Sequence, residues 1–215
     1  MEDAGINLTL IIIALTGLLS WRAFSDRVLF ENLMFYPYRM ARRNDYKGFV
    51  TVGFVHAGWM HLLLNMFVLY QFGGNVVEPM YKAVFGSSIG GGLYLLLYFS
   101  ALVVSGIPDF LQNKDNPSYS AVGASGATSA IIFAYIFFAP WSTIYVYFLP
   151  LPAVVWGGLY LAYSSYMARR GGDGIGHGAH FWGAAWGLFG TIAISAVMRP
   201  EMINVFLAQL QSFGR

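Results

Sequence analysis

The 215-residue chain contains no cysteine. Disulfides, thiolate nucleophiles and cysteine-ligated metals are therefore excluded. Charge is almost as scarce. Only 10% of residues are Asp, Glu, Lys or Arg, against roughly a quarter in a soluble domain. The formal net charge of +2 is too small to suggest a nucleic-acid partner. The acids Glu2, Asp3, Asp26, Glu31, Asp45, Glu78, Asp109, Asp115, Asp173 and Glu201 all read as loop or span-end residues. What the chain has instead is apolar surface: 57% of residues are hydrophobic, in runs that recur from end to end. Such a chain is a polytopic, integral membrane protein with the lipid bilayer as its solvent. At about 20 residues per span, the length leaves room for six spans with short loops.

The expected fold is an all-α, six-transmembrane-helix bundle with an interfacial first loop, one domain over residues 1–215. The spans are placed at 6–24, 56–77, 89–107, 125–139, 152–167 and 177–197. The first apolar run follows Glu2 and Asp3 rather than a basic stretch, and no small-residue cleavage site clearly follows it. It reads as a retained span, not a signal peptide. The connection from Ser25 to Val55 carries Phe35-Tyr36-Pro37-Tyr38 and Arg39, Arg42, Arg43 and Lys47, a composition suited to the headgroup region. Asp109 to Ser120 reads as a polar loop and span 2 ends near Glu78-Pro79. Thr143 to Phe148, followed by Pro150 and Pro152, reads as an extended connector. Met202, Phe206, Leu210 and Phe213 recur at helical spacing in the tail, as in a short surface helix.

Connectivity gathers the reactive groups. Spans alternate in direction, so spans 2, 4 and 6 enter from one membrane face. His56, His61 and Asn65 open span 2, Ser125 opens span 4, and His177 and His180 open span 6. At 1.5 Å rise per residue, each lies within roughly 15 Å of its loop. Gly123 and Gly126 flank Ser125, and Gly183 and Gly187 follow His180 four residues apart. Faces of small residues let membrane helices approach closely. A serine hydroxyl needs a base to become a nucleophile, and a neutral imidazole can supply it. Ser125 as nucleophile and His180 as general base form a two-member dyad, since no acid inside a span could complete a triad. The backbone N–H of Ser125, at a helix start, and the side chains of His61 and Asn65, four apart on one face, are the candidate oxyanion donors. Four histidines at one depth also allow a metal or transport site, although no carboxylate or thiol accompanies them. Ala127 occupies the position of the last glycine in the G-x-S-x-G elbow of soluble hydrolases and excludes that motif.

At these residues the chain resembles the rhomboid intramembrane serine proteases. Gly123-Ala124-Ser125-Gly126 matches the family's G-x-S-G, and Ala179-His180 with Gly183 and Gly187 matches its A-H-x-x-G-x-x-x-G. His56, His61 and Asn65 match its second-span histidine and asparagine pattern. The resemblance covers nearly the whole chain and implies a serine endopeptidase acting on transmembrane protein substrates, with no cofactor and no metal. It implies a substrate segment that unwinds easily, with a small residue before the cut. A catalytically inactive relative that binds membrane clients is the alternative. There are departures. Many members carry a Trp-Arg pair where this chain reads Asp45-Tyr46-Lys47-Gly48. Ser129 stands where some members place an aromatic ring against the histidine, so another group has to orient His180. A bacterial cytoplasmic membrane is the expected location. The family places the termini in the cytoplasm and the first loop outside. Yet Arg22, Arg27, Arg39, Arg42, Arg43 and Lys47 make that loop carry six of the 12 basic residues, which the positive-inside rule would keep in the cytoplasm. The resemblance is followed, because a loop folded into the interface need not obey a simple count.

Overall fold

The computed structural model describes residues 7–146 and 149–212. The span boundary at Ile6, Tyr147 and Phe148 of the connector, and Phe213 of the tail fall outside them. Helix α1 (Leu8–Ser25) begins where the Asn7 side chain accepts the Leu10 N–H. The first loop is helical where composition alone showed only polarity. Asp26 caps α2 (Arg27–Leu33) through the Leu29 N–H. Pro37 opens α3 (Pro37–Arg43), which ends on Asn44 in the left-handed region. Next come α4 (Gly48–Thr51) and a 3-10 turn, Val52–Phe54. The chain then bends by 97° into a continuous helix over Trp59–Phe85.

That helix has three parts: α5 (Trp59–Val68), a π-helical segment over Leu69–Val77, and α6 (Glu78–Phe85). The expected end at Glu78-Pro79 is therefore corrected. The Glu78 N–H reaches back five residues to the Gly73 carbonyl, and Pro79 sits where the ladder returns to α spacing. Its missing N–H costs one bond at a switch already made, and the helix continues. Glu78 is buried. Its carboxylate accepts the Leu8 and Thr9 N–H groups and the Thr9 hydroxyl, and pairs with Lys82 Nζ at 2.6 Å. One carboxylate thus caps the start of α1.

Helix α7 spans Ser87–Asn113, with Pro108 inside it. The expected polar loop from Asp109 is corrected as well. Pro108 removes one bond to the preceding turn, but Asn113 Nδ2 and the Lys114 N–H continue the ladder onto Asp109 and Phe110 carbonyls. Helix α8 (Ser125–Phe138) is buried over Gly126–Ala134 and Ile136–Phe138, which makes it the centre of the bundle. Strands β1 (Thr143–Val146) and β2 (Leu149–Pro152) pair antiparallel, Thr143 opposite Pro152. Helices α9 (Ala153–Arg170), α10 (His177–Met198) and the amphipathic α11 (Glu201–Gln211) complete the order.

Helices form at all six expected positions. Among the described residues, α1, α7 and α10 are long and apolar enough to cross a membrane, or four segments if the bent Gly48–Phe54 and Trp59–Phe85 pair counts as one. Helix α8 is apolar but shorter. Leu10, Leu15 and Leu18 on α1, Leu63 and Phe67 on α5, Leu159 and Tyr166 on α9, and Phe189 and Val197 on α10 all face outward. In water this belt would be a severe liability, and in lipid it is the solvent-matched surface.

Candidate active site

Helix α8 is 14 residues long, or about 21 Å, against a hydrocarbon core of about 30 Å. It is too short to cross that thickness by itself. Its N-terminal end opens on a cavity of about 950 Å³ lined by Ser125, His180, His61, Asn65 and Gly123. Glycines set how close the walls come. A Cβ on Gly183 would collide with the Gly126 carbonyl, and one on Gly187 with the Ala130 carbonyl. Helices α8 and α10 thus touch backbone to backbone, with Ser125 and His180 just before this seam. A Cβ on Gly126 would collide with the Ser105 hydroxyl of α7. Gly123, grouped in the sequence with the packing glycines, lies in the loop before α8 and does something different. Its φ is +115°, and a Cβ there would stand 2.5 Å from His61 Cε1. Only glycine permits both the backbone turn and the approach of the imidazole.

The loop before Ser125 is tied to the first loop. Phe35 and Ala121 exchange backbone hydrogen bonds of 3.0 and 2.9 Å, and the Gly123 N–H donates to the Val52 carbonyl. His56 makes the next link. It is fully buried, its Nε2 accepts the Ala124 N–H at 3.4 Å, and its Nδ1 pairs with Ser20 Oγ at 3.0 Å. Because Nε2 accepts, the proton belongs on Nδ1, which donates to Ser20, whose hydroxyl donates to the Phe54 carbonyl. His56 therefore fixes α1, the bend and the residue before Ser125. The sequence offered His56 as the first residue of the second-span pattern and as a possible metal ligand, without a structural role. Both its nitrogens are committed, and among the described residues no three His, Asp or Glu side chains converge as ligands.

The donors around Ser125 are arranged as follows. Its own N–H is a first-turn amide without an intrahelical acceptor. Asn65 is buried, donates one Nδ2 hydrogen to the His61 carbonyl at 2.9 Å, and accepts the Thr128 hydroxyl at 3.1 Å. Thr128 is one turn beyond Ser125, so α5 and α8 are joined beside the nucleophile candidate. His61 Nδ1 faces the Ala57 N–H at 3.5 Å, and its ring meets His56 edge-on at 4.9 Å. With Nδ1 on the acceptor side, Nε2 carries the hydrogen.

His180 lines the cavity with its ring against Tyr160 and His177. Among the described residues no hydrogen bond joins it to Ser125 or to a carboxylate. Two acids lie near, and Asp109, expected in a loop, instead stands in the last turns of a helix. Asp109 is on α7, lines the cavity and accepts the Tyr119 hydroxyl at 2.7 Å. Burial and this carboxylate together push the Tyr119 phenol up, which keeps its proton available for the bond. Asp173 accepts from His177 Nε2 at 2.8 Å and from the Ile175 N–H at 3.1 Å. The hydrogen bond from His177 holds its carboxyl below the usual range. Neither acid bonds His180. Tyr160, Thr128 and Ser20 carried no signal in the sequence, because each depends on a partner in a distant helix.

Apolar helices around a cavity lined by a hydroxyl, an imidazole and amide groups define a class: helical membrane proteins with a polar cavity between their helices. A Rhomboid domain family model matches residues 43–197, and the chain belongs to the rhomboid family. "RHOMBOID-like protein 12, mitochondrial" from Arabidopsis thaliana is 28% identical over 196 residues, 86% of this chain and 57% of that protein. The chain thus spans just over half the length of this relative. That relative is mitochondrial by name, so the expectation of a bacterial membrane gains no support from it.

Proposed function

We propose that the chain is an intramembrane serine endopeptidase with a six-span rhomboid bundle, in which Ser125 and His180 act as a dyad on transmembrane protein substrates. The observation that carries this reading is the glycine seam. It sets two independent helices in backbone contact just beyond the hydroxyl and the imidazole, and both side chains open into one cavity. An imidazole nitrogen of His180 takes the Ser125 proton as Oγ attacks the scissile carbonyl. The carbonyl oxygen, now charged, receives the Ser125 N–H, the second Asn65 Nδ2 hydrogen and the His61 Nε2 hydrogen. His180 returns its proton to the leaving amine, and water then releases the acyl group by the same path. A helical substrate carbonyl is already bonded and shielded, so the segment has to unwind, and a small residue before the cut suits the confined cavity.

Purified protein tested with a serine-directed fluorophosphonate checks this. Wild type is labelled, and Ser125→Ala and His180→Ala are not, while both variants remain folded. A non-catalytic protein that binds membrane clients would give no labelling in wild type.

A further inference from the structure

A base that accepts a proton in one direction must have its ring fixed, and among the described residues no hydrogen bond fixes the His180 ring. Its two ring neighbours are His177, edge-on at 5.7 Å, and Tyr160, stacked at 6.3 Å with 21° between the planes. Both separations are in the range where aromatic rings constrain each other. Tyr160 is itself held on three sides. Trp156, one turn earlier on α9, stacks on it at 4.8 Å, and Phe133 of α8 tilts against it at 6.0 Å. Its hydroxyl meets Ser129 Oγ at 2.6 Å. Ser129 is buried and four residues beyond Ser125, hence one turn along the helix that starts with the nucleophile. Three helices are joined in this way: the α8 serine grips the α9 phenol, and the phenol lies on the α10 imidazole.

We infer that Tyr160 is the positioning residue for His180 and that Ser129 positions Tyr160. This rests on the dyad reading above. A mid-helix serine would ordinarily bond back to its own helix, but here it spends its hydroxyl on another helix, next to the base. Because Tyr160 is carried by α9, whose Leu159, Tyr163 and Tyr166 face outward, docking of α9 and orientation of the base are a single event. A displaced α9 leaves His180 unstacked.

The test is a variant series in full-length, detergent-purified protein, read by the rate of fluorophosphonate labelling, by kcat and KM for a transmembrane substrate, and by thermal stability. Tyr160→Leu keeps an apolar side chain but loses both the stack and the bond to Ser129, and lowers the labelling rate and kcat roughly 10- to 100-fold with little change in KM. Ser129→Ala and Tyr160→Phe each remove the same hydrogen bond and slow labelling roughly five-fold. The double variant is no slower than either single one, as expected when two groups act as a unit. Tyr160→Ala combined with Ser129→Tyr conserves volume and recovers part of the rate. The stability cycle between Tyr160→Leu and His180→Ala is non-additive, which reads the ring contact without reference to activity. Wild-type labelling with an unchanged rate in Tyr160→Leu overturns this inference and leaves the dyad standing. Multiplying losses in the Ser129→Ala/Tyr160→Phe double variant overturn the role of Ser129. If wild type and Ser125→Ala behave alike, the dyad itself falls and the inference with it.

Discussion

At the scale of residues, the site is a set of polar groups each fixed by a neighbour on another element. Asn65 is the clearest case. One Nδ2 hydrogen and its oxygen are used inside the fold, which leaves the other hydrogen for an oxyanion. Removing one such donor costs about 10²- to 10³-fold in kcat, so Asn65→Ala should fall by that order with KM nearly constant. A large rise in KM with kcat intact would assign Asn65 to substrate binding instead. Asp173 gives a pH prediction. Its folded pKa lies below the value of about 3.9 for a free side chain, so its contribution is present above that value and is lost as pH falls through the folded pKa. The stability difference between wild type and Asp173→Asn should persist from neutral pH down to about pH 4 and close only below it. A difference that closes by pH 5 to 6 would contradict the bond to His177. The cavity lining was legible, because the motifs put Ser125, His180, His61 and Asn65 at helix starts of equal parity, and all four line one cavity. The residues that fix them were not. Ser20, Thr128 and Tyr160 are ordinary polar or aromatic residues in apolar runs, and their meaning lies in partners tens of residues away.

At the scale of elements, close packing of α8 against α10 decides whether the site exists. A Cβ on Gly187 has nowhere to go, because it meets the Ala130 carbonyl and not the end of a flexible side chain. Gly187→Leu should therefore prise the helices apart, lower thermal stability sharply and abolish fluorophosphonate labelling. Normal stability with normal labelling would show that the seam is dispensable. Gly17, by contrast, has open space around its position and serves as the control. The sequence located the helices well but misjudged several boundaries. Helix α7 passes Pro108, the second long helix passes Pro79, and the first loop holds three short helices. Composition marks Pro as a breaker. It does not register that a π-helical segment can absorb the break, or that a short amphipathic helix gains its stability from packing and not from its own propensity.

At the scale of the whole molecule, the first loop is bonded to the segment after α7 at the cavity end of the bundle. Tyr36 donates to the Pro117 carbonyl and Arg42 to that of Lys114. At the other end, Trp141 donates to the Gln209 carbonyl and Arg199 to that of Val84. The proposed six crossings require this sorting. Since the chain has no cysteine, single cysteines report it cleanly. In oriented vesicles, Ser118→Cys and Gly172→Cys should react with an impermeant maleimide from one side and Ser212→Cys from the other. Labelling of Ser118→Cys and Ser212→Cys from the same side would refute the six-span arrangement. The central claim is that Ser125 is a nucleophile activated by His180 within this bundle. Its most direct measurement is fluorophosphonate labelling of purified wild type, Ser125→Ala and His180→Ala. The account predicts labelling of wild type alone, with all three folded. Labelling of Ser125→Ala at the wild-type rate, or none in folded wild type, would contradict it.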